Sequence, residues 1–454
     1  MGITLRVDPG AVTQADRRER RWIFGALVAI PPVTVLVPAA LSIIGMIAFV
    51  VALAWQLPNR ARTGLRRPAL NRLILVGTGF AVAAFVSEVV HPGGAGGASR
   101  VAQFMLVPIG FAGMRVAARH DLRGAVWLGS VVGAITAGAV AISVLLFSSV
   151  GRPTSYVNPI HFGELALVLG FVAVVSRGMV PWDRQLVRRL TLAALLGGVI
   201  ASILSHSRGS WVALPAIIVL AIVHQHRTGG SRTAVWVVAI AALVLPAGAM
   251  AASVNDHAAL NALDRAVTET TNYVVSDGAF GTGGTSVGAR LEMWRSAVGG
   301  FRTEPVIGVG WGNLQKRFQL DVAAGVRDRR IAKYEHPHNQ YLSHLANGGM
   351  IGFASLLALL LMAGSIFARA FRSSVGDMRA LGGAGLIVVV GFAMFSLTDA
   401  ILEATTPLVF FVLMVGALAA QIDRLDDERL FAYGAFDGLE QSPGAVEGPR
   451  ANTL

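Results

Sequence analysis

"WIFGALVAIPPVTVLVPAALSIIGMIAFVVALAWQLPN", residues 22–59, runs from Trp22 to Asn59 without one charged side chain. A membrane crossing takes about 20 mainly apolar residues, at about 1.5 Å of rise each, to traverse a hydrocarbon core of roughly 30 Å. The stretch is far too long for one crossing and long enough for two. Pro31, Pro32 and Pro38 offer places to break it, because proline removes a backbone donor and clashes with the preceding turn. The pattern therefore predicts helices over 22–38 and 40–57.

The same length criterion applied outward gives ten further spans, at 72–90, 101–118, 124–148, 160–176, 189–205, 209–224, 233–252, 339–368, 380–397 and 405–422. The composition agrees: of 454 residues, 54% are hydrophobic and 14% charged, and the mean hydropathy is +0.61. These values belong to polytopic membrane proteins rather than soluble globules. The expected fold is an all-α polytopic membrane protein of about twelve transmembrane helices with one large, partly helical external loop.

Basic residues near span ends favour the cytoplasmic side. With the N-terminus inside, the inner segments collect Arg17, Arg18, Arg20, Arg21, the cluster from Arg60 to Arg72, and Arg115, Arg119 and Arg123. They also collect the arginines of 177–189, Arg227, Arg232, those of 369–379, Arg424 and Arg429, whereas the short outer segments hold only Arg100, Arg152 and Arg208. The net charge of +12 is thus mostly a topology signal with anionic headgroups as counterions, which argues against nucleic acid as a partner. With no cysteine, disulfides, thiolate nucleophiles and sulfur-based zinc sites are excluded. No cleavable signal peptide is expected, so the first helix should remain as an anchor.

The expected organisation is a cytoplasmic segment 1–21, spans over 22–252, an external loop 253–338, spans over 339–422 and a largely disordered cytoplasmic tail 423–454. A loop much longer than about 15 residues is usually functional or disordered. Within it, Leu260, Leu263, Val267 and Val274 share a helical face, and "DGAFGTGGTSVG" reads as a hinge without phosphate-loop spacing. "ARLEMWRSAVGGF" places Leu291, Trp294, Val298 and Phe301 on one stripe of a second amphipathic helix, with Arg290 one turn before Trp294 and able to make a cation–π contact. "TEPVIGVGWGN" then reads as a turn-rich, close-approach segment.

Three features stand out chemically. In "YEHPHNQYLSHLANGGMIG" the pair His336 and His338, with Asn339 beside it, borders a water–lipid boundary, where an imidazole can exchange a proton near neutral pH. Two solvated histidines are the competing explanation. Arg208, in the short connection "SHSRGSW", stands against the sidedness bias and calls for an anionic partner; snorkelling to headgroups is the alternative. Arg290 competes within its loop with Arg265, Arg295, Arg302, Lys316, Arg317, Arg327, Arg329 and Arg330. Glu88, Glu164, Asp399 and Glu403 lie near outer span ends, where they could order an arginine or a histidine. No pair of histidines has i, i+4 metal-ligand spacing and no obvious metal cluster such as Asp-x-Asp stands at the outward-facing membrane surface, so no metal is expected. Arginine forks match phosphate oxygens and a neutral imidazole accepts a proton, a combination suited to displacement of a lipid-linked diphosphate by an alcohol.

"SRGSW", "RLEMW" followed by "PVIGVGWGNL", and "HPHNQYLSHLANGGMIGF" resemble signature blocks of the O-antigen ligase superfamily, and their order and spacing match over about residues 20–422. The resemblance implies a GT-C-type, inverting, metal-independent glycosyltransferase of the bacterial inner membrane, working on its periplasmic face with both termini cytoplasmic. The implied donor is an undecaprenyl-diphosphate-linked glycan and the implied acceptor lipid A–core, with no cofactor. Carried onto matching positions, Arg208 and Arg290 would bind the diphosphate and His338 would activate the acceptor hydroxyl. His336, Asn339 and Trp294 would support them. O-antigen polymerases and protein O-oligosaccharyltransferases share that donor. A transporter or flippase is the reading from another class, against which stands the lack of an internal repeat.

Overall fold

The computed structural model describes residues 14–36, 67–148, 157–229 and 286–440, without the side chains of 14–16, 208, 286–287 and 431–440. Its regular structure is helical throughout. Helices α1 (Gln14–Leu36), α2 (Pro68–Val90), α3 (Ala95–Ala117), α4 (Arg123–Phe147), α5 (Pro159–Ser176), α6 (Arg184–Leu204) and α7 (Arg208–Arg227) precede two shorter ones outside the bundle, α8 (Ser286–Thr303) and α9 (Asn313–Ala323). Helices α10 (Gln340–Phe371), α11 (Gly376–Phe395) and α12 (Thr405–Glu440) complete the order.

Eight of these, α2, α4, α5, α6, α7, α10, α11 and α12, are long and apolar enough to cross a membrane. The expected twelve spans are therefore supported in eight places. The expected spans 40–57 and 233–252 lie outside the described residues, as do the amphipathic stretch 260–274 and the glycine-rich hinge up to residue 285, whose last three residues instead open α8. Helices α1 and α3 coincide with expected spans but carry too much polarity to count: α1 opens on Arg17, Arg18, Arg20 and Arg21, and α3 holds Arg100, Gln103 and Arg115.

Polar caps set several starts. Asn158 accepts from the Ile160 N–H at 2.9 Å, Asp183 from Leu186 at 2.8 Å and Asn339 from Leu342 at 3.0 Å, satisfying donors that the first helical turn leaves open. Of the prolines expected to break the first stretch, Pro31 and Pro32 do not, and Pro38 lies outside the described residues. Helix α1 continues through Pro31 and Pro32 to Leu36, and the Leu27 and Val28 carbonyls, which lose their donors to those prolines, face Gly129 of α4. A packed neighbour makes an interior proline tolerable in a membrane helix. The expected tail is also shorter than 423–454. Helix α12 runs to Glu440, and Asp423 explains why: its carboxylate accepts the Ala69 and Leu70 N–H groups at the start of α2, at 2.8 and 3.0 Å, while Asp427 pairs with Arg67.

The buried middle of the bundle is built by α5, α11 and α12, whose apolar windows are 89%, 78% and 94% inside the protein, against 39% for the peripheral α2, α4 and α10. Phe104, Phe111, Trp127, Phe162, Phe392 and Phe410 are fully buried in one continuous core. Helices α4 and α6 approach closely at Gly138 and Gly197, where an added Cβ on Gly138 would lie 2.5 Å from the Gly197 Cα, the close backbone approach that small residues permit in membranes.

The external unit has its own small core of Met293, Ala297, Leu314, Phe318 and Ile331, joined to Ala346 of α10. The stripe expected on α8 is displaced by about one residue: Ala289, Met293, Ala297 and Gly300 are buried, and Leu291, Trp294, Val298 and Phe301 sit half-buried beside them. The small side chains let α8 pack on α10. The close-approach reading of 304–313 holds, with a consequence for α10. That helix is interrupted at Gly349, φ +61°, and the loop docks its backbone into the break: Val309 N–H to Ala346 O, Gly310 N–H to Asn347 O, Met350 N–H to Pro305 O and Ile351 N–H to Val306 O, at 2.9 to 3.1 Å. Gly349 is thus a backbone junction between the loop and α10. A Cβ at Gly349 would stand 2.4 Å from the Val306 carbonyl carbon.

Candidate active site

At one end of the bundle four chain segments meet: the start of α5, the start of α7, the turn 396–403 between α11 and α12, and residues 334–340 leading into α10. Asp399 is their centre. It is 4% exposed, and its carboxylate accepts from His338 Nδ1 (Oδ1, 3.0 Å), His161 Nε2 (Oδ2, 3.0 Å) and the Ala400 N–H (Oδ1, 2.9 Å). Burial by itself would raise this carboxyl, but the hydrogen bonds from His161 and His338 overcome it and hold Asp399 well below the usual carboxylate range. Asp399 is therefore an anion and cannot donate. Each imidazole nitrogen facing it must carry the proton.

That assignment fixes the tautomer of His338. With Nδ1–H on Asp399, Nε2 holds the free lone pair, and among the described residues it makes no hydrogen bond. The ring is partly open, its side chain 23% exposed, and so it is reachable by a substrate. His338 has φ +49°, a left-handed conformation that is costly outside glycine. Its N–H donates to His336 Nδ1 at 3.2 Å, and the two rings meet edge-on at 4.6 Å.

The histidine pair is thereby unequal. His336 uses Nδ1 as an acceptor, and burial, more than the favourable Glu403 and Asp399 charges, pushes its imidazole below the ordinary value of 6.5. It is a neutral strut for the His338 backbone. Ligand atoms of His336, His338 and Asp399 also lie within 4.8 Å of one another, so the same set could hold a divalent ion. The hydrogen bonds among these three groups already engage the nitrogens and the oxygen between them.

The remaining expected residues take definite places. Trp294 donates its indole N–H to Pro337 O at 2.9 Å, fixing the loop that carries both histidines and placing Arg290 one turn away on α8. Asn339 caps α10 and donates to Leu397 O at 3.1 Å. Arg208 opens α7, and its neighbour Gly209 packs so tightly that a Cβ would meet Glu164 Oε1 at 2.1 Å and Thr398 Oγ1 at 2.7 Å. The backbone of Arg208 is thus drawn to the turn that carries Asp399. Of the competitors of Arg290, Arg317 pairs with Asp321 at 3.0 Å and Arg327 with Glu292 at 3.7 Å, internal bonds of the external unit.

The four outer carboxylates divide. Asp399 orders two histidines, as expected of one of them. Glu403 stands 3.9 Å from Arg100 Nε, and its carbonyl takes the same guanidinium and Gln103. Glu88 accepts the Gly93 N–H at 2.9 Å rather than a basic side chain. Glu164 is fully buried, with both oxygens lacking a partner among the described residues. His161 was not singled out in the sequence, since a lone histidine opening an apolar span has no local signature. Gln340 links the start of α10 to the same turn, with its Oε1 taking the Leu402 N–H at 2.7 Å and its own N–H reaching Ser396 O at 2.8 Å.

The family model described as "O-Antigen ligase" matches residues 192–357 of this chain, a stretch that contains Arg208, Arg290 and His338. Over that stretch the chain is similar to an O-antigen ligase domain. An uncharacterized protein of Haemophilus influenzae is similar at 20% identity over 279 residues, 61% of this chain and 68% of that relative. Both His161 and Asp399 lie outside the matched domain, so the carboxylate that orders its histidine comes from the helices beyond it.

Proposed function

We propose that the protein is an O-antigen ligase, transferring glycan from undecaprenyl diphosphate to a hydroxyl of lipid A–core in a single in-line displacement, without a metal, on the periplasmic face of the inner membrane. The Asp399–His338 contact carries this reading, because it leaves one defined lone pair, on Nε2, at an accessible position. The acceptor hydroxyl gives its proton to Nε2 as its oxygen attacks the anomeric carbon. The C1–O bond to the diphosphate breaks on the opposite face, the configuration inverts, and undecaprenyl diphosphate leaves. Asp399 stabilises the imidazolium that forms, in the way a buried carboxylate supports a base histidine in hydrolases. Arg208 and Arg290 neutralise the departing diphosphate, supplying the charge stabilisation that would otherwise fall to a divalent ion.

A positioned general base contributes about 10²- to 10⁴-fold, so His338→Ala should lose that much turnover while remaining folded and inserted. The decisive experiment supplies the purified protein with lipid-linked glycan and one of three acceptors: lipid A–core, further lipid-linked glycan, or a pilin-like protein. Product with lipid A–core is expected. Product only with further lipid-linked glycan would make the protein a polymerase, and product only with the third a protein glycosyltransferase. Movement of intact lipid-linked glycan across vesicles without any transfer would reject the enzyme reading altogether.

A further inference from the structure

At the end of the bundle opposite His338 lies a second built feature. The C-terminal end of α5, the start of α6, the end of α7 and the start of α11 enclose a cavity of about 580 Å³, lined among others by Arg177, Arg184, Arg188, Trp182 and His224. Its charges are not balanced locally. Arg177 and Arg188 are near enough to repel each other, and among the described residues Arg177 reaches the neutral Gln225 Oε1, at 3.0 Å. Arg184 and Arg188 have no carboxylate within ion-pair distance among the described residues. The two acidic groups at hand are engaged elsewhere: Asp377 pairs with Arg123 and Asp183 caps α6. His224 is 4% exposed and its Nδ1 has no hydrogen-bond partner.

Three arginines line one cavity beside the start of a 21-residue helix, and the carboxylate that lines it with them, Asp377, is drawn to Arg123; such a cluster matches the charge and hydrogen-bonding geometry of a phosphate group. The surroundings suit one delivered from the bilayer. Trp182 is 42% exposed at the rim, and Leu192 and Leu196, one turn apart on α6, are 49% and 44% exposed. An interfacial tryptophan above a lipid-facing apolar stripe is the setting of a headgroup and its acyl chains. We propose that this cavity is a binding site for a phosphate group, carried by an anionic lipid headgroup or free in solution, at the face of the membrane opposite the candidate active site. The proposal is independent of the transfer reaction.

The test uses the full chain in nanodiscs of phosphatidylcholine alone or with phosphatidylglycerol, read by the thermal unfolding midpoint and by lipid retained in native mass spectrometry. Phosphatidylglycerol should raise the midpoint and remain bound. The double variant Arg184→Ala/Arg188→Ala removes exposed side chains that are not part of any buried pair, and it should hold the lipid about ten- to thirty-fold more weakly. A control, Arg20→Ala/Arg372→Ala, removes the same charge at exposed positions outside the cavity and should behave as the wild type. Inorganic phosphate added to phosphatidylcholine discs separates the sources: a gain that depends on Arg184 and Arg188 identifies free phosphate, and a gain only with phosphatidylglycerol identifies the lipid. Equal lipid retention by wild type and the cavity variant, or equal losses in cavity and control variants, would overturn the site.

Discussion

Replacing Asp399 by asparagine tests the reaction centre with little change of volume. The native carboxylate accepts three hydrogen bonds, from His338, His161 and the Ala400 N–H. Asparagine offers one acceptor oxygen and one NH₂ donor, so one ring must face a donor. If that ring is His338, its proton moves to Nε2 and the base lone pair is lost. If it is His161, His338 keeps its tautomer but loses the anion opposite its imidazolium. A hydrogen bond to a charged partner contributes about 1.5–3 kcal/mol, and the tautomer change extends the range, since the same substitution in a Ser-His-Asp triad costs about 10⁴ in kcat.

For a half-buried histidine the expected loss is about 2–4 kcal/mol, or about 30- to 1,000-fold in kcat, with KM for the donor unchanged. Stability should fall by about 1–3 kcal/mol, because a buried acceptor is partly unmatched. Turnover by purified Asp399→Asn, with its unfolding midpoint as the folding control, gives the comparison. The double variant with His338→Ala should be no slower than His338→Ala alone, since groups acting as a unit are not additive. A folded Asp399→Asn enzyme within about threefold of wild type, or a fully additive double variant, would refute the role given to this pair.

Gly349→Ala should give little inserted protein and a lowered unfolding midpoint, since φ +61° costs a non-glycine residue about 1–3 kcal/mol and the new Cβ would strike the Val306 carbonyl; wild-type levels would remove the junction from the stability argument. Chelation by EDTA should leave turnover intact, and added Zn²⁺ should slow it by taking the atoms of His336, His338 and Asp399; loss with EDTA and recovery with a metal would replace the acid–base reading by a metal one. Asp399 is held below its ordinary value of 3.8, so its contribution is full above that value and is lost as the pH falls through the depressed one. His161→Phe removes one of the two hydrogen bonds responsible, so loss of stability on acidification should begin at a higher pH than in the wild type, and an unchanged acid profile would count against that cause.

The spans were legible because a hydrocarbon core imposes a length and a polarity on each crossing. Trp22 to Leu36 shows the limit: two prolines in an apolar run read as breaks, yet the carbonyls freed by Pro31 and Pro32 are sheltered by Gly129 from another helix. Long-range partners were invisible for the same reason. Asp423 caps α2 from more than 350 positions away, and nothing near residue 423 signals it. Helix α9 went unread beside the glycines before it, although Leu314 and Phe318 share a face. In the site, chemistry marked His338, Arg208 and Arg290, but only the turn after α11 shows how His338 differs from His336, with its Nδ1 on Asp399. Asp399 was legible as a carboxylate at an outer span end, not as the partner of two histidines.

Among the described residues, the two non-glycine residues with left-handed backbones, His206 at φ +52° and His338 at φ +49°, both lie within two residues of a helix that starts at the site, α7 at Arg208 and α10 at Gln340. Such conformations persist only where the surroundings over-determine them. For His338 they do so several times over: His336 takes its N–H, Asp399 its ring, and Trp294 the carbonyl before it. The turn 396–403 is the common anchor, since it also receives His161 from α5, Gln340 from α10 and Arg100 from α3. The proposed base is held by groups from α8, from the turn between α11 and α12 and from its own loop, so a change at residue 161 or 399 should reach the proposed reaction through His338 without touching either substrate.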